Sequence, residues 1–130
     1  VTPTEKETEM ALIIPEPPSA NRYWRHTARG GRAITYKSAK AKQYQSEVRT
    51  RAMLAGLQPL NGPVEVHLVW YRKARRGDLD NRLKVIFDAL QGAAYVDDSQ
   101  IVAITARREE DKNNPRVEIV VRPRDSHITR

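Results

Sequence analysis

Between Val64 and Gln91 the apolar residues change their period. Val64, Val66, Leu68 and Trp70 alternate with Glu65 and His67, and then Leu83, Ile86, Phe87 and Leu90 recur at intervals of three and four. A period of two puts alternate side chains on one face of a strand, and a period near 3.6 makes one stripe of a helix. A chain holding both must lay a helix stripe against a sheet face, because each has a single apolar side to bury.

The rest of the chain extends this pattern. Met10–Ile14 reads as a short strand stopped by Pro15, and Pro17-Pro18-Ser19 as an ordered turn. Thr27–Arg32 contains Gly30-Gly31 and suits a hairpin or a mobile loop, with a short strand at Arg32–Tyr36 after it. Ser38 offers an N-cap to a helix over 39–55, in which Ala41, Tyr44, Val48, Ala52 and Ala55 face one way and Gly56 closes the end. Asp80 is the expected cap of the second helix, Asn81–Gln91. Ile101–Arg107, the turn at Asp111–Pro115 and Arg116–Arg122 read as a closing β-hairpin. The expected fold is α/β in the broad sense (α+β): a mixed sheet of about four or five strands with two main helices on one face. One folded domain is expected over 10–122, with tails at 1–9 and 123–130.

Charge narrows the partner. The 130 residues carry 23 Lys and Arg against 16 Asp and Glu, a net +7, and contain no cysteine. Disulfides, thiolate metal sites and a cysteine nucleophile are thereby excluded. No apolar run is long enough to span a bilayer, and the first residues lack the pattern of a secretory signal, so a cytoplasmic protein with no membrane partner is expected. Nine cations and one acid, Glu47, fall between Arg22 and Arg51, and Arg72, Lys73, Arg75 and Arg76 form a second cluster. Such a field attracts polyanions, nucleic acid above all; the plainer alternative is a basic face that keeps the protein soluble. Tyr23 and Trp24 between Arg22 and Arg25 can stack on bases, or serve as core anchors.

Within this cationic chain the acids pair up as Asp78-Leu79-Asp80 and Asp97-Asp98. Carboxylates held side by side repel unless a cation joins them, and magnesium or manganese favours such oxygen donors. If 78 and 80 are extended they point the same way, and the helix after Asp80 is short enough to bring both pairs to one end of the sheet. Lys84, one turn beyond Asp80, suits a nucleophile or a phosphate. Each residue also has an ordinary role available: the aspartates as caps and turns, Lys84 as a helix ion pair with Asp80 or Asp88. His26, His67 and His127 are too dispersed for a zinc site, and no glycine-rich nucleotide motif is present, so no nucleotide cofactor is expected.

These motifs, taken in order, resemble the RusA family of Holliday junction resolvases. The resemblance runs through Pro17-Pro18-Ser19-Ala20-Asn21-Arg22-Tyr23-Trp24-Arg25-His26, then Gly77-Asp78-Leu79-Asp80-Asn81, Lys84, Phe87-Asp88-Ala89-Leu90 and Val96-Asp97-Asp98-Ser99-Gln100. It covers about Leu12 to Val121. It implies a homodimeric endonuclease, often carried by phages and prophages, that nicks two strands of a four-way DNA junction symmetrically with magnesium, for which manganese substitutes. Carried over by motif, Asp78, Asp80 and Asp98 are catalytic metal-binding carboxylates, Asp97 assists, and Lys84 is the essential lysine. Arg22, Arg25, Arg72, Lys73, Arg75 and Arg76 are the expected DNA contacts. The rivals are a non-catalytic DNA-binding module, and a metal nuclease of other branched DNA or of RNA.

Overall fold

The structure is a computed structural model that describes residues 9–75 and 77–124. The long tails expected at 1–9 and 123–130 fall mostly outside the described residues. Among the described residues six strands and three helices follow one another: β1 (Met10–Ile14), α1 (Ala20–Tyr23), β2 (Trp24–Arg29), β3 (Arg32–Lys37), α2 (Ala39–Leu54), β4 (Val64–Arg72), α3 (Leu79–Ala89), β5 (Ile101–Glu110) and β6 (Arg116–Pro123), with a 3₁₀ turn at Asp98–Gln100. The architecture is mixed α+β, as expected. The main sheet has four strands in the order β1-β6-β4-β5, and β2 and β3 form a separate two-stranded ribbon.

The closing hairpin does not exist. β4 lies between β5 and β6, running parallel to β5 and antiparallel to β6. β4 is the most regularly alternating strand, with Val64, Val66, Leu68 and Trp70 all buried, so the centre of the sheet is where it loses most water-exposed apolar area. The turn after β5 therefore crosses the end of β4. It is pinned there by the Asp111 N–H donating to the Arg72 carbonyl at 3.0 Å and by the Arg116 guanidinium 3.9 Å from the Tyr71 ring centre. Arg116 also bridges Asp111 at 2.9 Å.

The core lies on one face of the sheet. Met10, Ile14, Val117, Ile119 and Val121 join the β4 residues against Tyr44, Val48 and Ala52 of α2 and Val85, Ile86 and Ala89 of α3. α2 starts as its sequence dictates: the Ser38 hydroxyl accepts from the Ala41 N–H at 3.1 Å. Gly56 closes it at φ +75°, as the Leu57 N–H returns to the Ala52 carbonyl. The second helix begins earlier than expected. Leu79 is its first residue and Asp78 occupies the cap position without a side-chain cap bond, so Asp80 stands inside the first turn.

Candidate active site

β4, α3 and β5 make a parallel crossover, and that topology decides where the acids go. α3 runs back along the sheet from the end of β4 to its beginning. Asp78 and Asp80 open α3; Asp97 and Asp98 follow its far end, just before Ile101, which pairs with Val64 at the start of β4. The contacts agree. The Gln91 side chain donates to Asp88 at 3.2 Å and accepts from the Asp98 N–H at 2.9 Å, so Asp98 sits level with Asp88. Asp88 is two helical turns past Asp80, roughly 12 Å along the axis.

The expectation that one short helix gathers both acidic pairs is therefore corrected. After Leu90 the chain folds into tight turns, Ala93 and Ala94 donating to the Leu90 carbonyl, and never runs back along α3 before Asp97. Among the described residues no three carboxylates or imidazoles of one chain stand close enough to hold a metal ion. Among the described residues, the three aspartates expected to share one ion are thus not gathered within one chain.

Individually the acids differ. Asp78, Asp80, Lys84 and Asp98 are all exposed. Asp80 accepts from the Asn81 N–H at 2.9 Å, and Lys84 stands one turn on along the same helix face. Among the described residues Lys84 has no ion pair, since Asp88 bonds instead to Lys37 at 2.9 Å. Asp97 has a clear structural task. Its carboxylate accepts from the Ser99 N–H at 2.9 Å while the Gln100 side chain accepts from the Asp97 N–H at 2.9 Å, a reciprocal capping box. The bonds from Ser99 hold the Asp97 carboxyl below the usual carboxylate range.

The loop before Asp78 is braced by its own cations. Arg75 bonds Glu110 at 2.9 Å, Arg72 reaches Glu110 at 3.5 Å, and Arg72 and Arg108 both donate to the Gly77 carbonyl. Gly77 has φ +88°, and a Cβ there would lie 3.1 Å from both Arg82 and Trp70; only glycine suits that position. Lys73 is exposed, and its N–H donates to Glu16. Arg76 lies outside the described residues. Arg22 and Arg25 are exposed.

Asn81 and Arg82, which have no role in the expectations above, and Asp88, which enters them only as an ion-pair partner of Lys84, tie the N-terminal motif to α3. The Ala20 N–H donates to Asn81 at 3.0 Å, Arg82 donates to the Pro17 carbonyl at 2.5 Å, and the buried Tyr23 hydroxyl donates to Asp88. Arg82 also packs over Trp70, 5.1 Å from the ring centre. Burial chiefly, with nearby Arg22 adding to it and Glu16 opposing, lowers the pKa of Arg82. Their distance in sequence from Pro17–Tyr23 hid these pairings; the only hint was that Arg82 and Asp88 share α3 with apolar stripe residues.

A family model described as endodeoxyribonuclease RusA matches residues 15–122. The chain belongs to the RusA family. The crossover junction endodeoxyribonuclease RusA of Escherichia coli K12 is 40% identical over 98 residues, covering 71% of this chain and 76% of its own length. Its Shigella sonnei counterpart is equally similar, 40% over 98 residues with the same coverage. That of Enterobacteria phage 82 is 37% identical over 97 residues, covering 70% and 75%. The matched span takes in the N-terminal motif, the ribbon, α3 with both acidic pairs, and the whole of β5. A nuclease family of this kind suggests a divalent metal.

Proposed function

We propose that this chain is a structure-selective endodeoxyribonuclease that resolves four-way DNA junctions by paired symmetric nicks, in recombination and repair. The observation that carries the reading is the family match, which spans both exposed acidic pairs inside a chain of net charge +7. Asp78, Asp80 and Asp98 are the catalytic carboxylates of this reading, and Asp97 shapes the turn that presents Asp98. Lys84 offers its ammonium to the phosphate or the nucleophile. Arg22, Arg25, Lys73, the braced Arg72 and Arg75, and Arg76 hold the DNA backbone.

The enzyme acts as a homodimer in this reading. The divalent ion, magnesium or manganese in its place, finds no three-carboxylate cage among the described residues of one chain, and in this reading its ligands are pooled from two. β5 supports this. It is an edge strand of ten residues with Val102 and Ile104 about half exposed, at 53% and 49%. The apolar first half of this edge, Ile101–Ala106, can take another strand, while Arg107–Glu110 bring both signs of charge to the far half. Two copies joined antiparallel along β5 exchange ends, which carries the Asp98 end of each towards the Asp78 end of the other. Two equal sites about a dyad also match the symmetry of a junction.

The test is nicking of a synthetic mobile four-way junction with magnesium, beside a flap, a linear duplex and a structured RNA. Paired nicks on the junction are expected. Asp80→Asn should lower nicking by on the order of a thousandfold with junction binding kept, and Lys84→Ala by on the order of a hundredfold. No metal-dependent nicking of any substrate would refute the enzyme; undiminished cleavage by Asp80→Asn would refute the site.

A further inference from the structure

Apart from Arg25 at its base, the ribbon formed by β2 and β3 has no role in the reading above, yet its two faces are unlike. Its register pairs Arg25 with Tyr36, Thr27 with Ile34 and Arg29 with Arg32, and these six side chains share one face. The other face carries Trp24, His26, Ala28, Ala33, Thr35 and Lys37. That second face is anchored at its base: Lys37 bridges Asp88, and Trp24 meets the Tyr23 ring edge-on at 4.7 Å between centres. The first face is exposed over its whole length, Ile34 and Tyr36 included, at 37% and 51%.

Two features of that face are unfavourable in an isolated protein. Arg29 and Arg32 stand directly opposite each other across the Gly30-Gly31 turn, and like charges in that position destabilise a strand pair. A lone two-stranded ribbon that shows an isoleucine and a tyrosine to water is itself marginal. Both costs are removed by one partner, an anionic chain with flat apolar rings. The cationic stripe continues past the base of the ribbon, where Arg25 and Tyr36 join Arg22, Ser38 and Lys40 around a recess of about 490 Å³. No acid occurs anywhere from Pro17 to Ser46.

We infer that this ribbon is a DNA-grasping arm that reads the branch point. It rests on the junction-binding reading above. Arg29 and Arg32 at the tip, with Arg25, take phosphates of one duplex arm; a two-stranded ribbon is narrow enough for the major groove. Tyr36 and Ile34, flanked by those arginines, lie against bases that lose their stacking neighbours where the arms part. The arm thus supplies affinity through its cations and preference for branched over linear DNA through its apolar pair.

The experiment compares binding of a fluorescent four-way junction and of a linear duplex with the same arm sequence, without divalent metal, across a salt series. Arg29→Ala/Arg32→Ala should weaken both and make the log–log salt slope shallower by about two. Tyr36→Ala should lose roughly tenfold in junction affinity with duplex affinity kept, and Tyr36→Phe should retain the preference, since the ring remains. All three substituted side chains are exposed, and an unchanged unfolding midpoint will show that the variants fold. If the wild type binds the junction and the double arginine variant matches it in affinity and slope, the arm is refuted while the enzyme reading stands. A Tyr36→Ala protein that keeps its junction preference refutes the branch-point role. A wild type that binds no DNA refutes the reading on which the arm rests.

Discussion

Asp97 and Asp98 are neighbours with opposite duties. Asp97 spends its carboxylate on the Ser99 N–H, whereas Asp98 gives only its backbone N–H to Gln91 and leaves its side chain exposed. Asp97→Ala should therefore lower stability, through the loss of its cap. Asp98→Asn should leave stability unchanged and abolish nicking. Urea unfolding beside a nicking assay separates the two; equal stability losses would undo the division of labour. The cap also has a pH signature. The folded carboxyl of Asp97 is held below its ordinary value of about 3.9. Its stabilisation is complete above that value and disappears as pH falls through the lower folded one. The stability gap between wild type and Asp97→Ala should thus narrow as pH falls below the ordinary carboxylate value. The resemblance named both aspartates, but no spacing in the sequence says which of two adjacent carboxylates caps a turn; that depends on the extended backbone at Asp97 and on Gln100 three residues on.

At the scale of elements, most of what the sequence made legible was local. The alternation of β4 and the Ser38 cap of α2 depend on neighbours a few residues away and appear where their patterns predict; α3 forms too, but starts two residues early and buries Val85, Ile86 and Ala89 most fully, with Leu83 and Phe87 at the margin. The closing hairpin failed because strand order is a long-range matter. Asp111–Pro115 is good turn chemistry, but nothing in a five-residue turn records that β4 lies beneath it. The acidic pairs were misplaced for the same reason. Their spacing is compatible with either end of a helix, and only the parallel β4–β5 pairing sends them to opposite ends. Ser38 shows how elements are joined. It is buried, caps α2, and donates to the Arg22 carbonyl at 2.6 Å, which fixes the base of the ribbon to the helix. Ser38→Ala should cost about 1–2 kcal/mol. Amide exchange should quicken in β2 and β3 more than in β4; a uniform change would deny Ser38 its connecting role.

For the whole molecule, the separation of Asp80 from Asp98 makes subunit composition visible in activity. Asp80→Asn and Asp98→Asn should each be inactive alone. If catalytic groups are pooled across a dyad, mixing them creates heterodimers in which one site keeps both wild-type carboxylates and the other loses both. Nicking should return to about a quarter of the wild-type level, on single strands rather than in pairs. If each chain works by itself, every site in the mixture stays damaged and nothing returns. Mass-resolved chromatography of the wild type supplies the companion measurement, with two chains expected.

β6 is the last described strand to be made, yet it fills the gap between the first strand and the central one. Until Arg116–Pro123 has left the ribosome, Met10–Ile14 has no partner and one edge of β4 lies open. The sheet cannot assemble progressively during synthesis. A message cut short before the codon for Arg116 would yield chains whose most apolar segments stay bare, and these would pass to chaperones and proteases instead of accumulating as a partly folded protein.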